Sequence, residues 1–333
     1  MSTNSLPKGY RPSYAVCHEV SPICPVKATT LGYYPNEGLN IFFTIGFGLA
    51  ALIALSLGVW KRTWGFTIAI VAGTILECVG YVGRTLLATN PWNDGAFRMQ
   101  IVAIILGPTL VCIGLYLTLK HAVNALNRSL SRVKPRVYPL FFVPADVSCL
   151  VIQAIGGGIA ASAGGDNYAL LQHGNRTIMA GIVLQVVVLG FFGAMAADYL
   201  VRVGRYFRGS GGGNNNVAPE HQAGAALWAD KKFRAFLWAM ALAYVALLIR
   251  CIYRIAEMAG GWGNHIMQDE PSFVVLESFM VLIACLLLAV FAPGIFFPQM
   301  SHSFRRAAGE QEEEEKRPQT ESDEAGLEMG ERV

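Results

Sequence analysis

Within an otherwise apolar chain, a few ionisable and amide side chains recur at helical spacing. The stretch "LIRCIYRIAEMAGGWG" (248–263) carries Arg250, Arg254 and Glu257 at intervals of four and three, which puts all three on one helix face. "ECVGYVGR" carries Glu77 and Arg84 seven apart, and "DVSCLVIQAIGGG" carries Asp146 and Gln153 seven apart. Gln185 lies midway along a further apolar run, and Glu277 stands near the start of another, in "VLESFMV". Such a set can do two kinds of work. Guanidinium and carboxylate groups can pair and fix the register of neighbouring helices. They can also line a polar groove for a charged headgroup. In that groove Glu77, Glu257 and Glu277 would hold an ammonium, while Arg84, Arg250 and Arg254 would hold a phosphate or keep the acids ionised. Ionisable groups inside hydrocarbon are costly, so they point to function by default.

The elements that carry these residues are membrane spans. Of the 333 residues, 53% are apolar and only 15% charged, against about 25% charged in a soluble domain; the mean hydropathy is +0.42. The apolar residues fall into blocks long enough to cross a bilayer. The sequence predicts an all-α bundle of seven spans, near 39–60, 64–88, 97–120, 139–163, 177–201, 233–257 and 273–297. Residues 1–38 are too polar and proline-rich for a signal peptide, so the first span is expected to stay and act as the signal anchor.

Lys and Arg in the connecting loops predict the orientation. Lys61, Arg62, Lys120, Arg128, Arg132, Lys134, Arg136, Arg202, Arg205, Arg208, Lys231, Lys232 and Arg234 all fall on alternate loops, and Asp94, Asp166, Asp269 and Glu270 fall on the others. This reading puts the N-terminus outside and the C-terminus in the cytosol. It divides the chain into an extracellular lead segment (1–38), a membrane domain (39–299) and an acidic, compositionally disordered cytosolic tail (300–333). Arg84, Arg250, Arg254, Glu257 and Glu277 then lie in the outer half of the membrane, Glu77 near the middle to outer third, and Asp146 deeper. In the lead segment, "CHEVSPICP" places Cys17 and Cys24 in an oxidising compartment, where a disulfide is expected in preference to two free thiols. Pro108 is expected to kink span three. The small residues of 156–165 are expected to allow close packing of span four. Residues 209–224 read as a flexible polar linker.

Several functions lack their residues. The six histidines, at 18, 121, 173, 221, 265 and 302, are expected in loops or tails, so the seven-span zinc hydrolase ligand set is expected to be missing. No lysine occurs between Lys232 and Lys316, which removes retinal linkage in the last span. Span three ends in "YLTLKHAV", without the acidic-Arg-Tyr box of G-protein-coupled receptors. No phosphate-binding glycine loop, nucleophile constellation or nucleic-acid-binding face is present. No cofactor, metal or enzymatic activity is therefore expected.

From residue 34 to 294 the chain resembles the fungal lipid-translocating exporter family, known for 7-aminocholesterol resistance and release of sphingoid long-chain bases. The resemblance rests on "YYPNEGLN", "ECVGYVGR", Pro108 with Tyr116, "DVSCLVIQAIGGG", "GNRTIMAGIVLQ", "IRCIYRIAEMAGG" and the "APG" that closes span seven. Ala292 stands where the family commonly has histidine, Glu277 where it commonly has aspartate, and "TLVCIGL" replaces an alanine-rich stretch. The resemblance implies export or flipping of amphipathic lipids or lipid-like toxic compounds, with membrane lipids as partners and the plasma membrane as location. The alternative is a seven-helix sensor that signals through its cytosolic loops and tail. The sequence sets no oligomeric state.

Overall fold

In the computed structural model, residues 12–14, 16–126, 128–162, 167–209 and 222–296 are described. Seven helices are long and apolar enough to cross a membrane, and no strand occurs among the described residues. They are α1 (Glu37–Lys61), α2 (Trp64–Thr89), α3 (Asp94–Leu126), α4 (Val137–Ser162), α5 (Tyr168–Gly209), α7 (Lys231–Ala259) and a seventh span, Glu270–Val290. That last span is built from α8 (Glu270–Phe273), a π-helical turn (Val274–Phe279) and α9 (Met280–Val290). A short α6 (Gln222–Ala229) precedes α7, and α10 (Pro293–Phe296) follows the seventh span. The protein is a multi-pass membrane protein.

The helices start and stop where local chemistry requires it. Asn36 caps α1 by accepting from the Leu39 N–H, and Asp230 caps α7 by accepting from Lys232, which satisfies donors that a helix start leaves open. α1 ends at Arg62, which adopts a left-handed conformation (φ 53°) and turns the chain directly into α2. Two helices exceed their sequence-predicted spans. α3 runs on to Leu126 and α5 covers Tyr168–Gly209, because helix propensity continues past the point where apolar character stops. The segment read as a linker ends earlier than expected, since α6 begins at Gln222; residues 210–221 and the acidic tail lie outside the described residues.

Sequential helices pack against each other, and the seventh span closes the ring onto α1 and α7. Several close approaches depend on missing side chains. A methyl group on Gly73 of α2 would lie 2.8 Å from the Gly107 carbonyl of α3, and one on Gly156 of α4 would lie 2.6 Å from the Ile178 N–H of α5. Gly156, with Gly174 and Gly181 of α5, thus allows the tight α4–α5 contact, whereas Gly157 and Gly158 face open space; residues 163–166 lie outside the described residues. Outward faces carry exposed apolar side chains such as Ile45, Leu52, Ile68, Val187 and Leu242, the surface that lipid would cover. The polar residues of the spans point the other way.

At one end of the bundle the lead segment folds over the helices. Cys17 and Cys24 are joined by a disulfide, with their Cα atoms 5.8 Å apart. The Trp92 indole N–H donates to the Cys24 carbonyl (3.0 Å), and the Asn90 amide donates to the His18 carbonyl (2.7 Å). The Tyr14 ring stacks on Phe97 and meets Trp92 edge-on. These contacts fasten the loop to the α2–α3 turn.

Candidate functional site

Every intramembrane polar residue singled out by spacing is buried: Glu77, Arg84, Asp146, Gln153, Gln185, Arg250, Arg254, Glu257 and Glu277. They do not form one network. The structure sorts all but Glu77 into four stations.

Arg250 is the centre of the first. Its Nε donates to Glu277 Oε1 at 2.8 Å, and one terminal nitrogen donates to the Ile104 carbonyl of α3 at 2.8 Å. That carbonyl is available for a reason written in the sequence. Pro108 has no N–H to return to residue 104, so it leaves an acceptor open four residues back. α3 is helical through Pro108, and Arg250 fills the vacancy. Glu277 sits within the π-helical turn of the seventh span, a local widening common at functional sites.

One turn further along α7, Arg254 donates to Glu257 at 2.5 Å. The Glu257 backbone carbonyl accepts from the Asn264 amide, which ties the helix end to the following loop.

Gln153 and Gln185 make the second station. The Gln153 amide donates to Gln185 Oε1, and the Gln185 amide donates to the Thr109 hydroxyl oxygen, both at 3.1 Å. This ladder of neutral groups links α4 and α5 to α3. Gln153, Gln185, Arg250 and Arg254 together line a small cavity, with Ile105, Ile182 and Cys251 as its remaining wall. It has room for about one water.

The third station is Arg84. Its Nε donates to Asn40 Oδ1 (3.2 Å) and a terminal nitrogen donates to the Tyr33 hydroxyl oxygen (3.0 Å). Glu270 lies 4.0 Å away, and the guanidinium rests 4.1 Å over the Phe273 ring. Burial pushes the Tyr33 phenol above its ordinary value against the opposing charge of Arg84, so the phenol remains a neutral hydrogen-bonding group. The Glu270 carboxylate also accepts from the Asn36 N–H at 2.7 Å. Arg84 thereby joins the lead segment, α1 and the seventh span.

The fourth station is Asp146, whose Oδ2 accepts from the Tyr116 hydroxyl at 2.7 Å while Oδ1 has no partner.

The pairing differs from the sequence expectation at Glu77. Spacing put it on one face with Arg84, and depth offered it as a partner for Arg250 and Arg254, whose hydrogen bonds go instead to Glu277, the Ile104 carbonyl and Glu257. Both Glu77 carboxyl oxygens are buried without a hydrogen bond, and the side chain packs on Gly107 of α3. Seven residues of helix separate Glu77 and Arg84 by about 10 Å along the axis, too far for one side chain to serve the other. Asp146 and Gln153 are likewise separated into different stations. Asn40, Thr109 and the Ile104 carbonyl carry no charge and escaped notice; only the position of Pro108 could have flagged the carbonyl.

No solved structure is detectably similar to the chain. Relatives in Saccharomyces cerevisiae are similar over most of their length. The sphingoid long-chain base transporter is 27% identical over 289 residues, covering 82% of this chain and 75% of the relative. Protoporphyrin uptake protein 1 is 28% identical over 229 residues, covering 68% and 67%. Protein RTM1 is 26% identical over 238 residues, covering 71% and 69%. The family model described as "RTA1 like protein" matches residues 70–300, more than half of the chain and all of the cavity-lining residues: the protein belongs to the RTA1-like family.

Proposed function

We propose that the protein moves amphipathic lipids across the membrane, by export or flipping, without covalent chemistry. The observation that carries this reading is a cavity inside the spans lined by two guanidiniums and two amides, in a family whose relatives include a sphingoid long-chain base transporter. A long-chain base has an ammonium and hydroxyls on one end and an alkyl chain on the other. The amides of Gln153 and Gln185 can both donate to and accept from such a headgroup. Arg250 and Arg254 can donate to hydroxyl or phosphate oxygens, and their pairs with Glu277 and Glu257 offset their charge beside an ammonium. Glu257 and Glu277 act by holding the arginines, and the alkyl chain stays in lipid.

The cavity is small, so headgroup entry requires helices to part. The neutral ladder Gln153–Gln185–Thr109 is the weakest seam on its wall. Hydrogen bonds between neutral groups contribute roughly half as much as charge-assisted ones. α4 and α5, packed closely through Gly156, would swing as a unit from α3 and α7.

The orientation that supports export places the lead segment outside, the tail in the cytosol and the protein in the plasma membrane, as the loop charges indicate. Protease treatment of intact cells should leave the tail beyond Arg306 uncut; its removal would reverse this assignment.

The direct test is reconstitution into vesicles with a panel of labelled lipids, including a long-chain base, its phosphate and a neutral analogue. Movement of at least one amphipathic lipid above protein-free vesicles is expected. Binding without movement would favour the sensor instead.

A further inference from the structure

Two pairs in the bundle close on themselves, Arg250 with Glu277 and Arg254 with Glu257. Glu77 is a third carboxyl beside them. It is fully buried and neither oxygen has a hydrogen-bond partner. It is held against α3 at a fixed point, since a methyl group on Gly107 would lie 2.5 Å from its Oε1. Gly107 is three residues past Ile104, whose carbonyl accepts from Arg250. Glu77 and Arg250 lie within electrostatic reach of one another. Glu277 has one oxygen on Arg250 and the other without a partner. Two acids therefore stand around one guanidinium.

We propose that Glu77 is a proton-exchange site that couples lipid movement to a proton gradient, acting through Arg250. With a proton on Glu77, Arg250 keeps its bonds to Glu277 and the Ile104 carbonyl. When Glu77 releases the proton, its carboxylate competes for the guanidinium. Arg250 then shifts toward α2 and alters the cavity that it lines. The step is a proton transfer from the carboxyl to water and back; no other bond forms or breaks. A dry, unpaired carboxylate is costly, which links the charge state to the position of the arginine. Glu77 is thus a positioning residue.

The groups that face it are few. The seventh span presents Glu277 and Cys285, and α7 presents Arg250 and Arg254. On its own helix stands Tyr81, whose hydroxyl faces Ser278 of the seventh span. α3 presents Gly107. The charged residues of α1 are confined to its ends, Glu37 and Lys61.

The inference rests on the transport reading, and the experiment separates the two. Wild-type protein and E77Q are reconstituted with a fluorescent long-chain base, with and without a pH difference of one unit. One-for-one coupling predicts a change of about tenfold in lipid accumulation for the wild type, since a tenfold ratio is about 1.4 kcal/mol. For E77Q the ratio with and without the gradient should fall to about one. Wild-type movement that ignores the pH gradient, or follows a sodium gradient in its place, overturns the coupling and leaves the transport reading intact. A full response in E77Q does the same. No lipid movement by the wild type overturns both. Infrared spectra in nanodiscs give a readout independent of transport: the carbonyl band of a protonated carboxylic acid should be present in the wild type and lost in E77Q. An unchanged band overturns the site. Should E77Q fail to fold, the wild-type gradient response decides the coupling and the wild-type infrared band decides the carboxyl: absence of a protonated-acid band across the working pH range overturns the site.

Discussion

Arg84 and Arg250 are both buried guanidiniums on transmembrane helices, yet they are held in opposite ways. Arg84 rests on an amide oxygen, a phenol and an aromatic face, with its nearest acid at 4.0 Å. Arg250 rests on a carboxylate at 2.8 Å and on a carbonyl opened by a proline. Arg250 lines the cavity. The comparison separates fastening from function. A guanidinium that joins the lead segment to three elements can be satisfied by neutral groups, because nothing there has to move. A guanidinium at a cavity wall, paired to a carboxylate on another helix, can exchange partners when the charge around it changes.

The largest effect should come from breaking the Arg250 pair on one side. Glu277→Ala strands a buried guanidinium and is expected to cost about 3–5 kcal/mol, read as lost surface abundance and a lower melting temperature. Next comes the fastening region. Cys17→Ser with Cys24→Ser releases a short loop, worth about 2–3 kcal/mol in the chain-entropy picture. It should lower thermal stability while the transport rate per folded molecule stays at the wild-type level. A proportionate loss of rate would mean that the lead segment belongs to the transport machinery. Tyr116→Phe removes the donor to Asp146 and should cost about 1–3 kcal/mol, since both acid oxygens are then without partners. The smallest effect on stability is expected for Asn40→Ala, about 1 kcal/mol, because Arg84 keeps Tyr33 and Phe273. Thermal melts of the purified variants rank all four; an Asn40 effect as large as that of Glu277 would erase the distinction between the two arginines.

The sequence made the spans readable because lipid demands long apolar helices, and a buried charge in such a helix stands out against its surroundings. Arg250, Arg254 and Glu257 were legible as one face for that reason. Their partners were not. Pairing across helices depends on rotation and depth to within a residue, and the π-helical turn at Glu277 shifts both. That Glu77 makes no hydrogen bond to them was not legible, because spacing fixes a face but says nothing of the neighbouring helix that covers it. Gly107 and Pro108, adjacent on α3, set the place of Glu77 and the anchor of Arg250 respectively; both act through what they lack, a side chain and an N–H. The length of α5 was underread because apolar content marks the membrane, whereas the helix continues beyond it.

The central claim is that Arg250 at the cavity wall serves lipid movement and does more than hold the bundle in register. Arg250→Gln combined with Glu277→Gln neutralises the pair without stranding either member. The measurement is the flipping rate of a labelled long-chain base in vesicles, normalised to folded protein. The account predicts that the double variant reaches the membrane at near-normal abundance and loses most of its transport. Full transport at normal abundance would contradict it and leave the pair as a device for helix register alone.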